Sequence, residues 1–357
     1  MKKHRKLSSS KVGMAPGSLV HVGVIKTDKP VVTLIEYDTG HIEERTLTNT
    51  SLKSFTQTAN KKLWLNVHGL QDAQIIADIG HAFKLHPLVL EDILNTNQRP
   101  KVEDYKDYLY IVARSFNYEN NSETLDSEQV SMILGKHFVL TFQERSTGSF
   151  DPVRERLRAG RVQIREAESD YLAYALLDVI VDRYFIVLEK LSDETEVLDD
   201  ALLNQPTTSL LHSIHSLKRE SMELRRSVWP LREVLNSLVR NDHGFFEPGT
   251  LLYLRDVYDH TIHFIESLEG LRDMLGGMLD IYLSSISNRV NMEVRALTGV
   301  AMLFMPATLI AGIFGMNFRH MPLLADIDGF WWVIAAMATM AVTMGMIFWR
   351  REWLSRQ

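Results

Sequence analysis

The residues with the clearest chemical pattern lie in a stretch without charge. Ala296 to Phe318 is 23 residues long and contains no Asp, Glu, Lys, Arg or His. Small or mildly polar residues recur in it at steps of four and three, which places them on one side of a helix. These residues are Ala301, Met305, Thr308, Gly312 and Gly315. Such a stripe either lines a path for a polar solute or packs closely against another helix, and the spacing alone does not choose.

Metal-ligating residue types elsewhere form weaker patterns. His81 and His86 lie near Glu91 and Asp92, but a five-residue separation does not put both histidines on one helix face, so ordinary surface and core roles are favoured. The acidic run from Asp193 to Asp200 is more typical of a solvated helix face than of a cation site. The 357 residues include no cysteine and none of the motifs GxxxxGK[ST], GxGxxG, GxSxG or HExxH, so no enzyme class is indicated.

Two apolar segments are long enough to cross a membrane as helices. They are Ala296 to Phe318 and Gly329 to Trp349, and about 20 residues suffice for the hydrocarbon core. Because the linker has only ten residues, the two helices must form an antiparallel hairpin. Five arginines flank its open end and Arg319 alone lies in the linker, which predicts that both termini are cytoplasmic. Two spans cannot enclose an aqueous path, so a channel built from this chain must be an oligomer.

Helical patterns precede the first span. Apolar residues at 3.5-residue spacing predict one helix from Thr250 to about Ile313, roughly 95 Å long. Gly276 and Gly277 interrupt it, which favours a close contact or a flexible point there. Two earlier helices are predicted from Tyr171 to Leu203 and from Ser209 to Val239.

The first 165 residues have a mixed pattern. Short β-rich runs predict strands at Leu19–Ile25, Val31–Tyr37, Leu63–Val67, Tyr108–Phe116, Val130–Leu134 and Phe138–Phe142. Helices are predicted at Ala73–Phe83 and Pro87–Leu94, and again from Phe150 to Arg161. This alternation predicts an α/β domain. The net charge of −6 gives no footprint for nucleic acid, and the five Lys or Arg residues among the first 11 are typical of a disordered basic tail.

The most informative motif is Gly315-Met316-Asn317, at the linker end of the first span. In this context the chain resembles the CorA family of divalent-cation transporters, in which Gly-Met-Asn marks the outer mouth of the pore. Further stretches are similar to bacterial CorA over nearly the whole chain from about residue 15. They are His86-Pro-Leu-Val-Leu-Glu-Asp-Ile-Leu94, Gln98-Arg-Pro-Lys-Val-Glu103, Asp151-Pro-Val-Arg-Glu-Arg156, Trp229-Pro-Leu-Arg-Glu-Val234 and Arg255-Asp-Val-Tyr-Asp-His260.

The resemblance implies an α+β membrane protein that assembles as a homopentameric funnel, with the first span lining the pore and the second facing lipid. The positions that it places along the pore are Asp280, Asn291, Val294, Leu297, Met305, Thr308, Gly312, Gly315, Met316 and Asn317. The positions that it implies for regulatory divalent cations between neighbouring cytoplasmic domains are Glu91, Asp92, Asp178 and Asp256. Alternatively, Asp92 and Asp256 are surface residues or partners of the nearby Arg99 and Arg255.

The chemistry of Mg²⁺ agrees with this implication. Mg²⁺ gives up its water reluctantly, and neither span contains a carboxylate that would strip it. Five Asn317 amides around the mouth would accept hydrogen bonds from that water, although a helix C-cap is an alternative role for this asparagine. Many relatives have acidic residues where Arg319 and Leu323 stand, and Asp326 and Asp328 partly replace them.

We therefore expect a channel-like transporter for Mg²⁺, with Co²⁺ and Ni²⁺ as further candidates, in the inner membrane. The alternatives are a zinc transporter of the same superfamily and a membrane-tethered sensor or scaffold without transport. The expected segments are a basic N-terminus (1–17), an α/β domain (18–165), a helical hairpin (166–249), a long helix that includes the first span (250–318), an external loop (319–328), the second span (329–349) and a basic tail (350–357).

Overall fold

The computed structural model describes residues 13–48, 61–118, 125–317, 319, 321–323 and 326–350. The chain divides into two compact units. The first comprises Met1–Asp200 and His212–Gly276, and the second comprises Ala201–Leu211 and Gly277–Gln357. Most of the predicted basic N-terminus and the tail after residue 350 lie outside the described residues.

A seven-stranded mixed sheet forms the centre of the first unit. Its strands are β1 (Val31–Tyr37), β2 (Ile42–Leu47), β3 (Lys62–His68), β4 (Lys101–Asp104), β5 (Tyr108–Tyr118), β6 (Leu125–Gly135) and β7 (Phe138–Gln143). They lie in the order β2-β1-β3-β7-β6-β5-β4. The β3–β7 pair is parallel, and every other neighbouring pair is antiparallel.

Five of the six predicted strands are confirmed, and the prediction for Leu19–Ile25 is wrong. This segment has one bridge, between Val22 and Asn95, because it lies beside the end of a helix instead of a strand. The Val22 amide donates to Leu94 at 2.9 Å. A Cβ at Gly23 would lie 2.1 Å from Thr96 Oγ1, so only glycine permits this close approach.

Two short helices cover part of the sheet. They are α1 (Ala73–Ala82) and α2 (Pro87–Leu94), and both are confirmed predictions. Asp72 caps α1 by accepting from the Gln74 amide at 2.9 Å, and His86 Nδ1 caps α2 by accepting from the Leu88 amide at 3.2 Å. Their buried apolar faces share one core with β1, β3, β5, β6 and β7. His86 is therefore a capping residue, as the ordinary interpretation of the two histidines expected.

The remaining helices are α3 (Asp151–Arg158), α4 (Val162–Glu166), α5 (Ser169–Asn204), α6 (Thr208–Arg240), α7 (Pro248–Phe314) and α8 (Gly329–Arg350). In the first unit, α5 packs against both β5 and α7. The Tyr184 hydroxyl donates to the Arg114 carbonyl on β5 at 2.5 Å, and the Tyr184 ring lies 5.4 Å from that of Phe264 on α7. Burial of these large rings stabilises this layer.

The predicted long helix is confirmed as α7, a single helix of 67 residues. Both α7 and α8 are long and apolar enough to cross a membrane, with peak mean hydropathies of 2.0 and 1.7. The predicted close contact at the two glycines is wrong, because a Cβ at Gly276 or Gly277 would have no neighbour within 4 Å. A flexible point at this position stays a prediction.

Candidate ion path and cation-binding carboxylates

One face of α7 carries all the predicted pore positions on that helix. At 100° per residue, the seven positions from Asp280 to Gly312 fall within about 120° of the helix circumference. Each of the seven residues is exposed in the single chain. The face contains one carboxylate, at Asp280, and continues with amide, hydroxyl and apolar groups toward Gly312.

The large apolar residues of this face are highly exposed. Leu297 is 72% exposed and Met305 is 68% exposed, which leaves two large apolar side chains without cover from their own chain. Thr308 Oγ1 is already bonded to the Phe304 carbonyl at 2.9 Å, so its hydroxyl contributes a lone pair to the surface. The face is therefore completed by something outside the single chain, either lipid or other protein.

The Gly-Met-Asn motif follows directly on the end of α7. The helix ends at Phe314, and the Gly315 amide makes the last helical bond, to the Ala311 carbonyl at 2.9 Å. Asn317 lies three residues beyond Phe314 and is exposed. The alternative role of Asn317 as the C-cap is therefore wrong, because Gly315 occupies that position. The amide of Asn317 extends past the helix, where it is accessible.

Two of the four predicted regulatory carboxylates lie next to each other on α2. Both carboxylate oxygens of Asp92 have a partner. Its Oδ2 lies 2.6 Å from Lys101 Nζ, and its Oδ1 accepts a hydrogen bond from Gln98 Nε2 at 2.6 Å. Glu91 Oε2 accepts from the Gly17 amide at 2.6 Å. The expected alternative partner of Asp92 was Arg99, and the structure places Lys101 there instead.

The other two carboxylates lie on neighbouring helices, Asp178 on α5 and Asp256 on α7. Burial, together with the negative charges of Asp182 and Asp256, raises the pKa of Asp178 to about 6. Arg156 Nη1, 4.0 Å from Asp178 Oδ2, partly offsets this effect. Asp256 is 67% exposed, and its nearest basic partner is His260 at 3.9 Å, not Arg255.

No three His, Asp or Glu side chains within the described part of the chain come together as a metal site. Carboxylates thus form two separate groups, one on α2 and one on α5 and α7.

Sequence reasoning missed several neighbours of these residues. Asp182 follows Asp178 by four positions and His260 follows Asp256 by four, a spacing that places each pair on one helix face. That spacing could have identified Asp182 and His260 from the sequence. Thr298 lies on the same face of α7 as Asn291 and Met305, and its hydroxyl is bonded to the Val294 carbonyl at 2.7 Å.

The fold and these surfaces define an integral membrane protein with an α/β domain, one long helix and two candidate spans at its C-terminal end. Among solved structures, it is similar to the CorA magnesium transporter from Methanocaldococcus jannaschii, with a TM-score of 0.78 and 23% identity over 92% of this chain and 99% of that one.

The chain belongs to the CorA-like Mg²⁺ transporter protein family, whose family model matches residues 60–351. It is 44% identical to the cobalt/magnesium transport protein CorA of Thermotoga maritima over 97% of this chain and 98% of that protein. It is 32% identical to the putative metal ion transporter YfjQ of Bacillus subtilis over 86% of this chain and 94% of that protein.

Proposed function

We propose that this protein is a channel-like transporter that moves Mg²⁺, and also Co²⁺ or Ni²⁺, across the inner membrane. It works as a homopentamer in which α7 lines the pore, α8 faces lipid and both chain termini are cytoplasmic. Similarity to a cobalt/magnesium transport protein over nearly the full length supports the ion class.

The observation that carries the proposal is the exposed face of α7. From Asn291 to Asn317 this face carries no charge, and its large apolar residues are exposed in the single chain. A membrane tether needs neither the stripe of small residues in this helix, which includes Thr308 and Gly312, nor the exposed amide of Asn317 after its end. Five copies arranged with this face inward cover Leu297 and Met305 and enclose a path that the hydrocarbon never reaches.

Selection of the ion begins at Asn317. A pore lined by amide, hydroxyl and backbone oxygens does not replace the hydration shell of Mg²⁺, which prefers near-octahedral oxygen and loses water slowly. The accessible amide of Asn317 offers one acceptor and two donors per copy. A ring of five holds the ion through its water molecules.

Regulation follows from the separation of the carboxylates. Glu91 and Asp92 of one copy face Asp178 and Asp256 of the next, and these negative charges repel unless a cation lies between them. Cytoplasmic Mg²⁺ bound there favours the closed packing, and its loss frees the subunits. Asp92 exchanges its contact with Lys101 for the ion.

Ion flux into proteoliposomes tests the proposal. Purified wild-type protein is compared for Mg²⁺, Co²⁺, Ni²⁺ and Zn²⁺ side by side, together with Asn317→Ala. We expect Mg²⁺ flux in the wild type and none in Asn317→Ala, with the oligomer intact by size-exclusion chromatography. Asn236→Ala on α6 makes the same chemical change away from the path and keeps full flux.

The alternatives give different results in the same experiment. Zn²⁺ flux without Mg²⁺ flux identifies a zinc transporter, and no flux of any ion identifies a tether or sensor. Normal Mg²⁺ flux in Asn317→Ala contradicts the role of the amide ring.

A further inference from the structure

A cleft rich in arginine lies in the first unit. It has a volume of about 850 Å³ and opens between the segment 97–100, strands β5 and β6, and helix α6. Its walls include the guanidinium groups of Arg99, Arg114, Arg225 and Arg226. Glu223 is the one carboxylate among the described residues that line it.

Two of the four arginines are held in place by their neighbours. Arg114 on β5 donates from Nη1 to the carbonyls of Thr96 and Gln98 at 3.3 and 3.4 Å, and from Nη2 to Ser127 Oγ at 3.2 Å. Arg225 on α6 lies 3.3 Å from the carboxylate of Glu269. These contacts hold the guanidinium groups of Arg114 and Arg225 in place in the wall of the cleft.

The other two arginines have unused hydrogen-bonding capacity. Within the described parts of the chain, neither Arg99 nor Arg226 has an acceptor or an ion-pair partner, and both are exposed. Each guanidinium carries five N–H donors in a planar fork. The cleft is therefore lined by two guanidinium groups with free donors in addition to the anchored Arg114.

The charge of the cleft is positive even after its internal partners are counted. Glu269 offsets Arg225, and Glu223 accepts a hydrogen bond from Ser127 Oγ at 3.2 Å. Two of the four positive charges remain without a matching carboxylate. Concentrating like charges in a concave surface attracts an anion and raises its local concentration.

The size and chemistry of the cleft select the kind of anion. Pockets of several hundred Å³ hold small organic ligands, so this one exceeds the needs of a single phosphate group. Arginine forks match phosphate oxygens in bidentate geometry. Met222 and Trp229, which are 43% and 40% exposed, provide an apolar margin beside the arginines.

We propose that this cleft binds a polyphosphate anion of the nucleoside di- or triphosphate class. Arg99, Arg114 and Arg226 hold the phosphates, and the margin formed by Met222 and Trp229 contacts the remainder of the ligand. The proposal does not depend on transport, since none of these residues lies on the exposed face of α7.

Calorimetric titration of the full-length protein in detergent tests the cleft. The ligands are inorganic triphosphate, ATP, ADP, AMP and inorganic phosphate, in low salt and without divalent cations, so that chelation of Mg²⁺ cannot contribute. We expect triphosphate and ATP to bind at least tenfold more tightly than AMP or phosphate, with affinity falling as NaCl is raised. Tighter binding of ATP than of triphosphate assigns a role to the apolar margin, whereas equal binding restricts recognition to the phosphates.

Arg226→Gln removes one free fork without removing any contact made within the described structure. It should weaken triphosphate binding about tenfold or more, the range for charge-assisted hydrogen bonds. Arg219→Gln makes the same change on the exposed surface of α6 outside the cleft and should bind like the wild type. The proposal is overturned if neither triphosphate nor ATP binds at millimolar concentration, or if both variants lose affinity equally.

Discussion

Asp178 is a carboxylate whose position costs the folded protein stability. It lies on α5, where its side chain is 16% exposed, and burial together with Asp182 and Asp256 raises its pKa to about 6 from 3.8. The folded protein therefore binds a proton at this site more tightly than the unfolded chain does. Asp178 is also one of the four carboxylates that we propose to bind regulatory cations.

The magnitude follows from linkage. A folded-state pKa of about 6 against 3.8 lowers the free energy of unfolding by about 3 kcal/mol when the carboxylate is ionised. Solvent screening at this partly exposed group reduces that cost to about 2 kcal/mol. The pKa of Asp178 is higher in the folded state than in the unfolded state. The loss of unfolding free energy is therefore absent below about pH 4, grows between the two pKa values and is complete above about pH 6.

Asp178→Asn removes the charge and should stabilise the protein. At pH 7.5 in EDTA we expect a gain of about 2 kcal/mol, which corresponds to about 4–8 °C in the thermal midpoint of a domain of this size. At pH 4.5 the gain should fall to about one third, since the wild-type residue is then mostly protonated in the folded state. Saturating Mg²⁺ should stabilise the wild type more than the variant.

The assay is thermal unfolding of the full-length protein in detergent, followed by intrinsic fluorescence, at both pH values. Asp28→Asn, at an exposed carboxylate in the first unit, is the matched control and should leave the midpoint unchanged. An equal midpoint for wild type and Asp178→Asn at pH 7.5 would refute the reasoning. So would a shift of the same size at pH 4.5.

Three further outcomes follow from the same structure. Leu297→Ser should raise resting conductance in bilayers, because a ring of bare leucines closes a pore by excluding water; unchanged or lower conductance at matched expression contradicts a hydrophobic gate. Asp256→Lys places an ammonium at the proposed cation position, so the variant should resist protease without Mg²⁺, whereas wild-type protection should rise with Mg²⁺; equal cleavage of both at every concentration contradicts cation bridging. Gly80→Ala brings a Cβ to 2.4 Å from Leu90 Cδ1 and should lower the thermal midpoint through a cost of about 1–3 kcal/mol. Gly277→Ala, in open space on α7, should instead be neutral or stabilising by up to about 1 kcal/mol, and equal losses in both would refute the packing argument.

The sequence predicts those elements whose side chains must be buried. Val31 to Tyr37 is rich in β-branched and other apolar residues and is largely buried as β1. The apolar spacing from Thr250 onward follows α7 to within two residues of each end. Strands β2 and β4 were not predicted because they lie at the edges of the sheet. Their residues, IEERTL and KVED, do not need an apolar face there.

The sequence likewise predicts one part of the candidate site and not another. Helical spacing in the sequence predicts the part of the α7 face that contains Met305, Thr308 and Gly312, whereas its earlier positions rest on the family resemblance. The environment of Asp178 is not visible, since Asp182 lies on its own helix while Asp256 and His260 come from α7, and only the packing of α5 on α7 joins their charges. The contact of Asp92 with Lys101 likewise depends on how β4 lies beside α2.

The charged edge strands have a consequence for self-association. An edge strand presents unpaired backbone groups that another sheet can extend, and this is a common route to aggregation. Here both edges are protected: β2 carries Glu43, Glu44 and Arg45, and β4 carries Lys101, Glu103 and Asp104. When several copies stand side by side, like edges repel before their backbones meet. In the proposed pentamer, contacts between copies would therefore involve side chains and helices, so the copies could separate and rejoin without irreversible pairing of their sheets.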